Sequence, residues 1–411
     1  MRRIVWGLLL LFAFAVPWEY SLDLGEPLGN IARVVGLMLL LTAIPAVLQA
    51  GRVRTPGALQ WLVVAFYLWL CCSYFWTTEP LATLEKMRGY FQEMMIVWLV
   101  WEFAESPSNL RALLEAFVAG SWVLALLTLA NFRSAEAIAA GQIRFVADGQ
   151  DPNDVARFLD LGFPLAALLL SGLPGEKRWA GRLLAMGYLP LGLVAVLLTA
   201  SRGGFLAALL ALGGCGLLLM KSHPRGALTG AMAMPVVAAG LGFAVPRETF
   251  ERLATIPSQL ESGDLNQRLN IWDAGWHAFV RSPLVGSGAG SFTGAAGTNF
   301  RDTAHNSELS ILVGGGLIAL FLAVGIVALA AHSVLKTRGQ LRLALVTVLV
   351  VWAIAAQVDT VEENRATWLL LGLMAVAGRL AVDEPEGLER CFPEASESDG
   401  SFQRIAELEG E

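Results

Sequence analysis

Between Arg182 and Lys221 the chain carries a single charged residue, Arg202, in an otherwise almost unbroken apolar run. One helix crosses a bilayer with about 20 apolar residues, so residues 182–220 are too long for one crossing. The chain must therefore reverse near Arg202, giving spans near 182–199 and 201–220. Comparable runs lie near 4–17, 28–49, 58–76, 81–101, 111–132, 153–171, 227–245, 305–331, 342–358 and 366–381. The pattern predicts an all-α integral membrane protein with about 12 transmembrane helices. Composition agrees: of 411 residues, 55% are hydrophobic and 16% charged. Soluble domains are about 25% charged, so a water-soluble multidomain enzyme is excluded. The first span is short, and Arg2-Arg3 with Ala13-Phe14-Ala15 resembles a secretory signal. Trp6 and Trp18 bracket it as interface anchors do, which favours a retained helix.

Loop charges set the direction. Alternate short loops carry Arg2, Arg3, Arg52, Arg54, Lys177, Arg178, Arg182, Lys221, Arg225, Lys336, Arg338 and Arg342, against Arg133, Arg144 and Arg365 on the opposite side. The positive-inside bias puts both termini in the cytoplasm and the segment 246–304 outside. Four stretches follow: 1–140 with the first five helices, a core at 141–345 containing the outer loop, the last two helices at 346–382, and an acidic tail at 383–411. The tail reads as disordered. The net charge of −6, concentrated there, argues against a nucleic-acid partner. Cys71, Cys72 and Cys215 fall in apolar spans and Cys391 in the tail, with neither a disulfide framework nor metal-ligand spacing.

Charge within a membrane helix is costly and marks function or an interface. Here Arg33, Glu85, Lys86, Arg88, Asp154, Arg157, Asp160 and Arg202 all fall in the outer third of their spans. Glu93 lies near mid-span, and Glu115 and Arg379 at inner ends. Any one of these could snorkel or pair along its helix, as Glu85 with Arg88. Together they point to a polar cavity opening outward, with Lys86, Arg88, Arg157 and Asn306 as candidate lining residues.

Three motifs face that side. Thr199-Ala-Ser-Arg202-Gly-Gly204 puts Arg202 at the mouth of a helix, where its plainer role is an interface anchor. Asp264-Leu-Asn-Gln267-Arg268 resembles a capping box opening an interfacial helix, with Leu269, Trp272, Trp276 and Phe279 as its apolar stripe. Arg268 sits in the first turn, where free N–H groups favour anions, although a surface ion pair would also account for it. The Gly-rich stretch Pro283-Leu-Val-Gly286-Ser-Gly288-Ala-Gly290 reads as a turn, since no Gly-Lys-Ser/Thr follows. His305 at the outer start of a helix is placed as a general base, because the helix dipole opposes its protonation. A hydrogen-bonded interfacial histidine is the plainer alternative. His277 reads as interfacial, and His223 and His332 as solvated. Two arginines can hold a diphosphate bidentately without a metal, and no outward Asp-x-Asp pair is present. A lipid-linked diphosphate donor suits this chemistry, with the histidine activating an acceptor hydroxyl.

Ser201-Arg202-Gly203-Gly204, Arg268…Trp272…Pro283…Gly286-x-Gly288 and His305-Asn306 followed by Gly316-Leu317 resemble the bacterial O-antigen ligase and polymerase superfamily. Asp151-Pro-Asn-Asp154 with Pro164 is similar to that pattern, and the resemblance covers about residues 141–335. It implies a C-type glycosyltransferase-like fold and transfer of a glycan from undecaprenyl diphosphate in the periplasm, without nucleotide, metal or other cofactor. By the same resemblance Arg202 and Arg268 match diphosphate-binding arginines, and His305 the catalytic base. Val313-Gly314-Gly315-Gly316 departs from the pattern, where an acidic residue often precedes the Gly-Leu pair, and suggests a flexible helix there.

The leading expectation is a ligase that moves undecaprenyl-diphosphate-linked O-antigen onto lipid A-core. An O-antigen or exopolysaccharide polymerase and a protein O-oligosaccharyltransferase are the alternatives in the same class. From other classes come an anion or lipid-linked sugar transporter, or a non-catalytic scaffold. The outer loop is modest in length, which favours lipid or glycan acceptors over protein.

Overall fold

The computed structural model describes residues 1–26, 28–134, 142–171, 179–222, 240, 245–261, 263, 265, 267–297 and 304–393. The helices are α1 (Arg2–Ala15), α2 (Ile31–Ala50), α3 (Ala58–Cys72), α4 (Pro80–Phe103), α5 (Pro107–Phe132), α6 (Pro152–Leu170), α7 (Trp179–Leu198) and α8 (Arg202–Ser222). Short helices α9 (Arg247–Ala254), α10 (Ile256–Glu261), α11 (Arg268–Arg281) and α12 (Phe292–Ala296) follow, then α13 (Ser307–Lys336), α14 (Gly339–Val358), α15 (Arg365–Asp383) and α16 (Pro385–Cys391). Among the described residues nine helices are long and apolar enough to cross a membrane: α1, α2, α3, α5, α7, α8, α13, α14 and α15. This is a multi-pass, all-α membrane protein. Helices α4 and α6, with 24 and 19 residues, have spanning length but carry more charge. The expected span at 227–245 lies outside the described residues, apart from Gly240 and Val245.

Burial sorts these helices into layers. Every residue of α6 from Val155 to Leu169 is buried, and α15 is enclosed almost as completely. Large apolar side chains such as Leu41, Leu48 and Phe321 lie exposed on the perimeter, as lipid-facing residues do. Small residues let the central helices approach closely. A Cβ on Gly204 would collide with Ala156, and one on Gly162 with the Tyr188 hydroxyl. That hydroxyl donates to the Leu159 carbonyl at 2.6 Å. Helix α6 begins, α14 ends and α8, α13 and α15 begin at one end of the bundle, hereafter the site end.

The structure changes three expectations. The interfacial helix opens at Arg268, with Gln267 as a left-handed N-cap and no side-chain cap, so the capping box is not used. Asp264 lies outside the described residues. Of the expected stripe, Phe279 packs inward beside Ile271 and Ala278, whereas Leu269 and Trp276 are exposed. The start of the acidic tail is helical rather than disordered. Leu388, Cys391 and Phe392 are buried, and Arg111 donates to the Cys391 carbonyl at 3.1 Å. Residues 394–411 lie outside the described region.

The third change concerns the glycines of α13, which break the helix at Gly316 (φ 70°). The stretch 283–290 is more than a turn, for it inserts into the break. Amides of Ser287 and Gly288 donate to the carbonyls of Val313 (2.8 Å) and Gly314 (3.0 Å), and Trp69 Nε1 donates to Gly315 (2.8 Å). Beyond the break, Leu317 N–H donates to the Pro283 carbonyl at 2.9 Å. Irregular backbone at membrane depth is tolerable only when its polar groups are satisfied this way.

Candidate active site

Helices α8, α11 and α13 all start close to left-handed residues: Ala200 (φ 48°), Gln267 (φ 64°) and His305 (φ 46°). Such conformations cost of order 1–3 kcal/mol and persist where the surroundings over-determine them. At Ala200 and His305 the surroundings are hydrogen-bonded caps. Ser201 Oγ accepts from Gly204 N–H at 3.2 Å and donates to Asn153 Oδ1 at 2.8 Å, tying α8 to α6. Asn306 Oδ1 accepts from Leu309 N–H at 2.8 Å, and its amide donates to the Gln357 carbonyl at 3.2 Å. Ser307 Oγ donates to the Asp359 carbonyl at 3.0 Å and accepts from Val361 N–H at 2.9 Å. The start of α13 is thereby clamped to the end of α14.

That clamp brings a carboxylate to the histidine. His305 Nδ1 lies 3.8 Å from Asp359 Oδ1, too far for a hydrogen bond but within ion-pair range once the ring is protonated. The side chain of His305 is 27% exposed, so one edge of the ring remains open. An acceptor facing Nδ1 favours the tautomer with the proton there, which leaves the Nε2 lone pair free. Arg157 donates to the other oxygen of Asp359 at 2.8 Å and also pairs with Asp154. Burial opposes ionisation of Asp359, but His305, the Arg157 guanidinium and the Thr360 amide outweigh it and hold the carboxyl below its ordinary pKa. Asp359 is therefore an anion beside the imidazole.

A small cavity adjoins this pair, lined by Asn153, Arg157, Asp160, Ser201, Arg268 and Asp359. Arg268 is partly desolvated, which lowers its pKa, while the charges of Asp359 and Asp151 oppose that shift. Arg202 Nε donates to Thr255 Oγ1 at 2.9 Å. In return Arg252 Nε donates to the Ala200 carbonyl at 3.1 Å, and Arg144 Nε to the Thr199 carbonyl at 3.1 Å. Burial and the charges of Arg252, Arg268 and Arg202 pull the Arg144 guanidinium below its ordinary pKa. The site is thus strongly cationic along the loop that reverses the chain between α7 and α8. Guanidiniums stay protonated at such shifts, so this edge is a standing attraction for phosphate.

The structure gathers Arg157, Arg268 and His305 around Asp359, holds Arg202 beside Arg252 and Thr255, and gives the other expected lining residues different partners. Lys86 pairs with Glu363, and Arg88 is exposed with no charged partner among the described residues. Asn306 serves as a helix cap. Sequence reasoning overlooked Arg144, Arg252 and Asp359. A signal was available in Asp359-Thr-Val-Glu-Glu-Asn-Arg365, an acidic connection squeezed between two apolar spans.

Residues 187–324 match the family model described as O-Antigen ligase, which supports the superfamily resembled by the motifs. The matched stretch holds Arg202, Arg268, His305 and the broken helix, whereas Arg144, Arg157 and Asp359 lie outside it. Among curated proteins, none matches the chain.

Proposed function

We propose that this O-antigen ligase-like membrane enzyme transfers a glycan from undecaprenyl diphosphate to a hydroxyl of lipid A-core at the periplasmic face of the inner membrane. Arg202 and Arg268 hold the diphosphate. His305 Nε2 takes the proton of the acceptor hydroxyl as its oxygen attacks the anomeric carbon. The bond from that carbon to the diphosphate oxygen breaks, and the guanidiniums stabilise the charge on the departing diphosphate. Asp359 stabilises the imidazolium that forms, as a carboxylate does for a catalytic histidine. The proton then leaves the ring to solvent through its open edge.

The observation that carries this reading is the His305–Asp359 pair at 3.8 Å, joined through Asp359 to a cavity that Arg268 also lines. Transport is the weaker reading. Transporters use the free ends of broken helices to bind ions, whereas the break in α13 has its Val313, Gly314 and Gly315 carbonyls taken by protein donors.

A deletion strain analysed on lipopolysaccharide gels tests the assignment. Loss of the whole O-antigen ladder with accumulated lipid-linked polymer is the expected result. A single repeat retained on core would instead indicate a polymerase, and an unchanged profile would refute both.

A further inference from the structure

Two apolar grooves run down the bundle from the site end, and they differ in charge at the mouth. The groove between α13, α14 and α15, a cavity of about 350 Å³, opens between Glu308 and Glu362. Among the described residues no cationic side chain lines this groove, so an anionic head finds no partner there. The other, about 270 Å³, lies between α1, α2 and α4. Its lining on α2 runs Arg33, Gly36, Leu37, Leu40, and on α4 Gln92, Met95, Ile96, Leu99, both at helical spacing. Each stripe is polar at the site end and apolar inward over about 10 Å, within one leaflet of about 15 Å.

The charge at this mouth is nearly balanced. Arg365 pairs with the buried Glu19 carboxylate and donates to Gln92 Oε1 at 3.1 Å. Arg33 is half-buried, and its guanidinium has no ion pair or side-chain hydrogen bond among the described residues. An unpaired guanidinium at the edge of the hydrocarbon region is costly, and a lipid phosphate is its natural partner there. One unmatched positive charge suits a monoanionic phosphodiester. A diphosphate, carrying more charge, is better met by the cluster around Arg202 and Arg268.

We propose that this groove binds an anionic glycerophospholipid of the same leaflet as the active site. One acyl chain lies along Leu37, Leu40, Met95 and Leu99, and the phosphate meets Arg33. Arg365 follows Asp359 by six residues, so an occupied groove steadies the loop that carries the active-site carboxylate.

Native mass spectrometry of the full-length protein tests this, with dioleoylphosphatidylglycerol, dioleoylphosphatidylcholine and undecaprenyl phosphate as separate probes. The phosphatidylglycerol adduct is expected to form at about tenfold lower lipid concentration than the phosphatidylcholine adduct. Arg33→Gln should erase that preference. Leu37→Trp, at a lipid-facing position 57% exposed and so tolerant of substitution, should weaken the adduct by obstructing the groove. Equal retention of both phospholipids, a preference that survives Arg33→Gln, or stronger retention of undecaprenyl phosphate would each overturn the proposal. None of these readouts depends on glycan transfer, so they stand or fall separately from the enzymatic assignment.

Discussion

At the scale of single residues, chemistry and conformation meet at His305. A positive φ of 46° is unusual outside glycine, and here it lets the ring turn toward Asp359 while Asn306 caps the helix. The sequence marked His305, Arg202 and Arg268 because their spacing and side could be read locally. Asp359 could not be read that way, since its partners His305 and Arg157 are 54 and 202 residues distant and only packing unites them. The helix-dipole argument at His305 was made without Asp359, the carboxylate that packing brings to the ring. If the arginines act by forked contact with phosphate, Arg202→Lys and Arg268→Lys should each reduce transfer by about tenfold or more, since an ammonium offers only a point charge. Steady-state rates with lipid-linked donor would register it. Burial and the neighbouring Glu363 charge push the Glu362 carboxyl from 4.5 to about 8. The folded state therefore binds a proton there that the unfolded chain has lost. Stability from this group is fully present below about pH 4.5 and falls as pH rises through 8. Glu362→Gln should flatten the decline in melting temperature between pH 5 and pH 8, measured in detergent.

Elements show where local pattern suffices and where it fails. Spans with long apolar runs are found close to where they were expected, and Pro152 and Pro107 open α6 and α5 as first-turn prolines do. The start of α11 was misplaced because a backbone turn at Gln267 replaced the side-chain cap that the sequence offered. The glycines of α13 looked like a flexible point, yet Gly316 serves a fixed close approach, as does Gly286 on the inserted segment. A Cβ on Gly286 would lie 2.7 Å from Gly314 backbone, and one on Gly316 would strike the Leu284 carbonyl. No local signal shows that a segment some 30 residues earlier fills the break. Gly316→Ala should therefore lower stability by about 1–3 kcal/mol or prevent folding, through positive φ and collision together. Gly213→Ala, with open space around its Cβ, should leave the melting temperature unchanged or slightly raised.

Across the whole molecule, the sequence conveyed class better than outline. The apolar runs announced a bundle, and nine of its helices meet the spanning criteria among the described residues. Charged α4 and buried α6 have spanning length yet fall outside the hydropathy criterion, because helices enclosed by others can carry Glu93, Asp154, Arg157 and Asp160. The docked helix α16 was hidden by its acidic composition, although Leu388 and Phe392 give it an apolar contact face. The distribution of loop arginines and lysines predicts that the site end faces the periplasm. In a background with the native cysteines replaced, His277→Cys should react with a membrane-impermeant thiol reagent in intact spheroplasts. Arg338→Cys, at the opposite end, should react only after permeabilisation.

The central claim is that His305 performs chemistry on a donor held by other residues. It is tested most directly by measuring donor binding and turnover separately for purified His305→Ala in lipid nanodiscs. The account predicts an unchanged donor Kd and a turnover at least about 100-fold lower, the scale of a lost general base. Turnover that persists near the unsubstituted rate would contradict it.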